Sequence, residues 1–576
     1  MSTCIQAAGL FFACIVLFGT RAGAQALAGP PDRAIQAHLN AGEFGPARAV
    51  ADRIAERAAR DAALARIAAA QIAAGGGQAA FDTAASIRDD VLRSNALQGF
   101  VAPRTGAGAG RGGSSMADFD TLIELITSTI APTTWVDAGG AGAIDAFPGG
   151  VFVDTEGLMR TIPVRLADEH LADVRAGAVY RGGSGDVRAE STLRYVSLPR
   201  LEKQVQLLWA AGLPPNEAMR TLAGLRKIKY LFVYPDEGDI VLAGPAGDWR
   251  ADAEDRLVSV STGRPVLQLD DLVVLLRNAY GEGGRFGCSI TPTKERLAAT
   301  KAFLAESSKR PLTPTSRPRW LKQIRDHLGK QEIAVYGIDP GSRAARVIVE
   351  ADYRMKLVGM GLEDGGMNVP SYLSRIRVGP GEAPPPMDVL RWWFTLNYKA
   401  IHATPDRSGF EVRGQGVQVL SENEMITARG ERVHTGKSDI LNREFAHDFT
   451  KHFESLAKTY PIYADLQNVF DLALVAAICR AEDLPGRAGW HRTHFGPADK
   501  YRVRISRAPK EVETVINHRV INRVHVVAGV SGGVTVRTRP LVEGGAIKFD
   551  EFSLIDAMHN EGAPPQNLPQ DAWWWD

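Results

Sequence analysis

Four side chains in the C-terminal half could do acid–base chemistry: Asp352, His402, Glu422 and Glu424. Two such groups held within hydrogen-bond reach in a cleft would suit a hydrolase. Asp352 stands out for its setting. If the run from Arg343 to Gly359 is a helix, Asp352 shares a side with Ile348, Val349 and Met355, all apolar. A carboxylate in such a place must be paired or protonated. A charge pair with an Arg or Lys inside the core is the structural account, and a functional acid is the alternative.

Other patterns invite chemistry and have plainer readings. Gly529-Val530-Ser531-Gly532-Gly533 spells the G-x-S-x-G of a nucleophile elbow, and Asp556 and His559 follow it. An elbow needs a helix after the serine, whereas Val534-Thr535-Val536-Arg537-Thr538 alternates like a strand, which favours a glycine-rich β-turn. His491 and His494 could place two imidazoles on one side of a turn, but zinc needs at least a third protein ligand and none stands out nearby. Asp448 and His452 are four apart on a helix, a spacing for an ion pair, with His447 alongside. Thr105 to Ser115 contains Gly-x-Gly, but no strand precedes it, so it reads as a flexible linker and not as a phosphate loop. The sequence therefore calls for no cofactor and no metal, and leaves any catalytic residue unknown.

These residues need a scaffold, and its centre is the stretch from Phe445 to Glu482. Phe445, Phe449, Phe453, Leu456 and Tyr460 form one helical stripe. Pro461 then suits the first turn of a second helix, in which Leu472 to Cys479 is apolar all round, as in a helix buried on every side. Around this pair, Leu201 to Ala211, Pro215 to Leu225, Leu267 to Asn278 and Thr293 to Ser307 read as helices. Tyr230 to Tyr234 with Asp239 to Ala243, Ile333 to Ile338, Met387 to Asn397, Gly409 to Ser421, Tyr501 to Ile505 and Arg523 to Arg537 read as strands. The fold class is α+β and multidomain: N-terminal helical hairpins, a small α/β module, and a larger mixed α/β body with a buried helix pair.

The 576 residues carry 67 Lys plus Arg against 66 Asp plus Glu, so no net charge draws the chain to nucleic acid. At the N-terminus, Ala7 to Gly19 is a short apolar core and Ala22-Gly23-Ala24 follows, the pattern of a cleavable secretory signal. An uncleaved anchor is the alternative. The expected mature chain starts near Gln25, is periplasmic or secreted, and keeps no transmembrane helix. N-terminal sequencing of the exported protein checks this, and an intact Met1 in a membrane fraction would refute it. Of the four cysteines, Cys4 and Cys14 leave with the signal, and Cys288 and Cys479 are expected not to pair.

Ala37, Leu39, Ala41, Gly42, Ala47, Ala51 and Ile54 recur 33 residues later as Ala70, Ile72, Ala74, Gly75, Ala80, Ala84 and Ile87. On these residues the segment resembles tetratricopeptide-like helical repeats, and an Ala-rich helical hairpin is the alternative. Either way its role is docking to a protein partner. Leu122 to Ile126, Thr133-Thr134-Trp135 and Phe147-Pro148-Gly149-Gly150-Val151 resemble the small ring-building modules of secretins, with the closing strand and helix replaced after Val153. The block from Gly287 to the C-terminus resembles an uncharacterised family of exported bacterial proteins, a domain of unknown function. The resemblance rests on Gly287-Cys288-Ser289-Ile290, Val335 to Pro340, Glu350 to Lys356, Arg391-Trp392-Trp393-Phe394, Gln467 to Ala473 and Val527 to Val534. It implies export and no activity.

The expected divisions are 1–24 signal peptide, 30–100 helical repeat-like segment, 101–116 Gly/Ser linker and 117–153 secretin-module-like segment. After these come a 154–290 α/β region, a 291–545 α+β domain and a 546–576 tail that is mobile until something holds it. The favoured function is a non-catalytic exported envelope protein, a scaffold or interaction protein. The alternatives are an exported hydrolase with its site in the C-terminal domain and, weaker, carbohydrate binding by exposed Trp392 or Trp393.

Overall fold

A computed structural model describes residues 31–74, 76–98, 143–147, 150–154, 160–163, 185–307, 309, 313, 316–377, 379, 389–521, 524–543 and 545–576. The stretches expected to be a signal peptide and a Gly/Ser linker, and most of the segment expected to be secretin-like, lie outside these residues. The chain forms two compact units, Met1–Arg88 with Asn95–Phe100, and Asp89–Ser94 with Val101–Asp576.

In the first unit, helices Pro31–Asn40 and Phe44–Ala51 make one hairpin, and Arg57–Ala73 and Gly77–Ala85 a second. The 33-residue offset has a physical basis. Ala47 and Ala51 in the first hairpin, and Ala80 and Ala84 in the second, are wholly buried, so small side chains let the helices approach closely.

Among the described residues, the second unit contains three sheets. Strands β1 (Ala143–Phe147), β2 (Gly150–Asp154) and β3 (Arg160–Pro163) form a small antiparallel sheet. Its third strand follows where the sequence reading has no closing strand. The body begins with β4 (Ser191–Ser197), β5 (Tyr230–Tyr234) and β6 (Asp239–Ala246), then a two-stranded ribbon of β7 (Trp249–Ala251) and β8 (Leu257–Ser259). It continues with β9 (Arg285–Pro292), β10 (Lys330–Tyr336), β11 (Val389–Ala403), β12 (Gly409–Ile426) and β13 (Arg432–His434). The last strands are β14 (Glu511–Glu513), β15 (Ile516–Ile521), β16 (Val524–Arg537), β17 (Ile547–Phe549) and β18 (Trp574–Trp575). Apart from the ribbon, β4 to β18 make one 13-stranded sheet, ordered β14-β10-β9-β16-β11-β12-β5-β6-β4-β18.

The long β11–β12 hairpin is the spine of that sheet. Near its first residues β11 runs parallel to β16, and near its last parallel to β17. β12 pairs with β5 at one end and β13 at the other. A bulge around Tyr398 bends the hairpin between these regions.

The core face of the sheet is covered by helices Leu269–Gly281, Arg343–Met360, Ile440–Lys451 and Pro461–Ala481. In the last of these every residue from Ile462 to Cys479 is buried. By length and composition it could cross a membrane, yet it lies wholly inside the unit. Its polar residues have partners there: Asp465 accepts from Arg343 at 2.6 Å, Asn468 donates to the Pro265 carbonyl at 2.9 Å, and Asp471 accepts from Tyr398 at 2.8 Å. Phe449 and Phe453 of the anticipated stripe pack edge-on or tilted against Phe394 and Tyr463, but the stripe is carried by two helices, Ile440–Lys451 and Phe453–Thr459, and not by one.

Burial pushes the Asp471 carboxyl up to about 6, against the pull of Lys227 and the Tyr398 hydroxyl. Its folded value lies above the ordinary 3.8, so the folded state holds a proton that the unfolded chain releases. The stabilisation is complete below about pH 4 and lost as pH rises through 6. The expected result is that the wild-type melting midpoint falls between pH 5 and pH 7 by more than that of Asp471→Asn. Parallel melting curves would contradict it.

Several expectations are corrected. The 290/291 boundary falls inside β9, and β4 to β6 join the same sheet as the later strands, so the described residues from 185 to 290 share one body with those of 291–545. The tail after 546 is held: β17 pairs with β11, β18 pairs with β4, and Trp573 to Trp575 are buried. Arg194 grips Asp576 with two bonds of 2.8 Å and covers the Trp574 ring. Tyr501 to Ile505 forms no strand, and Pro215 to Leu225 shortens to Glu217–Arg220 and a turn of 3₁₀ helix. Cys288 lies buried in β9; both described cysteines are free thiols, and burial raises the pKa of each.

Candidate functional site

Strand register brings the candidate acids together. Arg391 lies opposite Glu422 on β12 and opposite Ser531 on β16, one row across three strands. Glu424, two residues along β12, shares the face of Glu422, and β13 lays Arg432 and His434 beside them. Arg391 donates to Glu422 at 3.0 Å and lies 3.7 Å from Glu424. Arg432 donates through Nε to Glu424 at 2.7 Å, through Nη2 to the same oxygen, and through Nη2 to Ser531 Oγ at 2.6 Å. His434 Nδ1 sits 3.2 Å from Glu422 and 2.9 Å from Glu424. The Gly436 amide donates to Glu422 at 2.7 Å. Burial pushes the Glu422 carboxyl up, but the Gly436 amide and Arg391 outweigh it, and the group stays below the usual carboxylate range.

Two carboxylates and two guanidiniums balance in charge. Glu422, Glu424 and His434 present ligand atoms within 4.8 Å of one another, a spacing open to a divalent cation. Each carboxylate already has an arginine partner, however, and although Glu424 Oε1 accepts no hydrogen bond, a cation there would face two guanidiniums. The residues therefore do not fit a metal.

Beside this network is a cavity of about 310 Å³, between the outer face of the sheet and helices Lys294–Ser307 and Arg317–Leu328. Its walls are apolar, with Leu297, Leu304, Ile324, Leu328 and Ile516 prominent. Glu424, Ser531 and Gln331 make one polar part of its lining, to which Thr300, Lys301 and Thr514 also belong. Gln331 is 1% exposed, and its Nε2 donates to the Val530 carbonyl at 3.0 Å. That bond fixes the amide orientation, since only the nitrogen can face a carbonyl. Gln331 Oε1 is left buried with no donor.

Asp352 lies on the other face. Neighbouring strand residues point opposite ways, and a Cβ added to Gly532 would stand 3.4 Å from Asp352 Oδ1, so Ser531 faces away from it. Asp352 and Lys356, one helical turn apart, are each 0% exposed, with Nζ 2.7 Å from Oδ2. Burial pushes the carboxyl up and the amine down, and each partner opposes the shift of the other. This is the buried pair that the apolar helical face of Asp352 called for.

The remaining candidates do not converge on the cavity. His402 is on β11 eleven residues from Arg391, roughly 35 Å along the strand, paired in register with Glu411 and Lys548. Ser531 sits inside the continuous strand β16, so the elbow is absent. His491 is exposed, whereas His494 is buried and its amide donates to Glu202. Asp448 pairs with Arg375 at 2.8 Å, not with His452. Trp392 is buried against Phe445 and donates to Asn442, so it offers no open stacking face, and half-buried Trp393 has one face under the Arg391 guanidinium. Gln331, Arg432 and His434 were not singled out from sequence; only the β12–β13 and β9–β10 pairings bring them in.

The fold and site define an α+β body with a part-buried ion network on the outer face of its sheet and an apolar cavity beside it. Residues 288–372 match the family model described as "Protein of unknown function (DUF1598)", an uncharacterised domain. No curated protein and no solved structure matches the chain. The matched stretch holds Cys288, Gln331, Asp352 and Lys356, and both helices that wall the cavity. Glu422, Glu424 and Ser531 come from outside it.

Proposed function

We propose that the protein is an exported, non-catalytic interaction protein. Its helical hairpins would take a protein partner, and its α+β body would serve as a binding and structural module. The observation that carries this reading is that every candidate acid is held by structural partners: Asp352 by Lys356, Glu422 by Arg391 and Gly436, Glu424 by Arg432. Export is supported by the apolar core before Ala22-Gly23-Ala24. A hydrolase draws support from the 3.4 Å approach of Ser531 Oγ to Glu424 at the cavity. Against it, Ser531 accepts a hydrogen bond from Arg432, which does not take up a proton, and among the described residues no histidine bonds to it. The test is turnover of ester, glycoside and phosphoester substrates by the full chain. The expected result is none that depends on Glu424; hydrolysis abolished by Glu424→Gln in a folded protein would overturn the reading.

A further inference from the structure

We infer that the cavity beside Glu424 binds a small, largely apolar molecule with a neutral hydrogen-bond-donating head, a primary alcohol or a primary amide. Failure of this inference would leave the non-catalytic reading untouched.

The size follows from the volume. A dry cavity of about 150 Å³ accepts a benzene-sized guest, and this one is 310 Å³, so the guest has about a dozen non-hydrogen atoms. The body follows from the walls: Leu297, Leu304, Ile324, Leu328 and Ile516 offer contact and no hydrogen bonds. Met425, 63% exposed, and the exposed Lys301 also line the cavity and place it within reach of solvent. Lys301 donates to the Ile426 carbonyl.

The head follows from the polar part of the lining around Gln331. Gln331 Oε1 is a buried acceptor without a donor, and turning the amide over would set its oxygen against the Val530 carbonyl. Glu424 adds a second acceptor. A carboxylate head set beside Glu424 and Gln331 would meet a like charge and would leave Gln331 unsatisfied. A cationic head gains little, because Arg391 and Arg432 already balance Glu422 and Glu424. An O–H or N–H donor without charge meets Gln331 and disturbs neither arginine. Such selectivity rests on a buried polar group that the wrong ligand leaves unpaired.

The test is calorimetric titration of the purified full chain with 1-decanol, decanoate and decylamine, each below its aggregation limit. Decanol should bind at least tenfold more tightly than either charged analogue. Gln331→Met keeps the shape and removes the acceptor; it should weaken decanol about tenfold and leave decyl methyl ether, which cannot donate, unchanged. Leu304→Trp fills the cavity from the helix side and should abolish binding of both, which keeps the site testable if Gln331→Met does not fold. Equal or tighter binding of decanoate or decylamine, no binding of decanol, or undiminished decanol binding by folded Leu304→Trp would each overturn the inference.

Discussion

Lys356→Met should destabilise the body by roughly 3–5 kcal/mol, because it leaves Asp352 buried without its cation. Both side chains are 0% exposed, so water cannot replace the missing partner. That loss is a large share of the roughly 5–15 kcal/mol that holds a domain together. Asp352→Ala should cost about as much, now from an unpaired amine. The deficit of Lys356→Met should shrink as pH falls. Its carboxyl would titrate even higher than in the wild type, and a raised folded pKa stabilises at low pH and ceases to do so as pH rises. A third variant separates loss of charge balance from loss of packing. Asp352→Leu with Lys356→Met removes both charges and should recover much of the loss. Urea unfolding of the four proteins measures this. Single variants as stable as wild type would show that the pair is dispensable, and Asp352 would return as a candidate site acid.

The second large effect is at Gly532. A Cβ there would lie 1.7 Å from the carbonyl oxygen of Trp392, its register partner on β11. The obstacle is backbone, so no rotamer change relieves it, and β16 must part from β11. Gly532→Ala should therefore cost about 3 kcal/mol or more, at or beyond the upper end for overpacking, or prevent accumulation of folded protein. Gly529→Ala is the control in the same motif: nothing lies within 4 Å of its added Cβ, and the change should stay within about 0.5 kcal/mol. Comparable losses at the two positions would mean that the motif is not a close-packed strand crossing.

The helix-borne features could be read along the chain and the strand-borne ones largely could not. Asp352, its apolar neighbours and Lys356 lie on one continuous helix, where spacing of three and four residues fixes which side chains meet. Phe445 and Phe449 on one helix, and the all-buried run before Cys479 on another, are legible for the same reason, whereas the break at His452 that puts Phe453 on a separate helix is not. Pairing between strands is not local. Glu422 and Glu424 could be named as acids, but nothing in their neighbourhood announces Arg391, thirty-one residues away, or Ser531, more than a hundred away. The run Trp573-Trp574-Trp575 looked like a loose end because its partner, β4, lies far earlier in the chain. The cavity has no sequence signature, since its walls are ordinary core leucines and isoleucines and Gln331, Glu424 and Ser531 come to it from three separate strands.

The account rests on the carboxylates of the outer network being structural. The most direct measurement is the unfolding free energy of Glu424→Gln against wild type. Glu424 is 1% exposed and takes two bonds from Arg432. Neutralising it leaves Arg432 without its main counter-charge, and the expected result is a loss of roughly 3 kcal/mol. A functional acid held for chemistry is often not optimal for folding; an unchanged or increased unfolding free energy would contradict the account and put the hydrolase first.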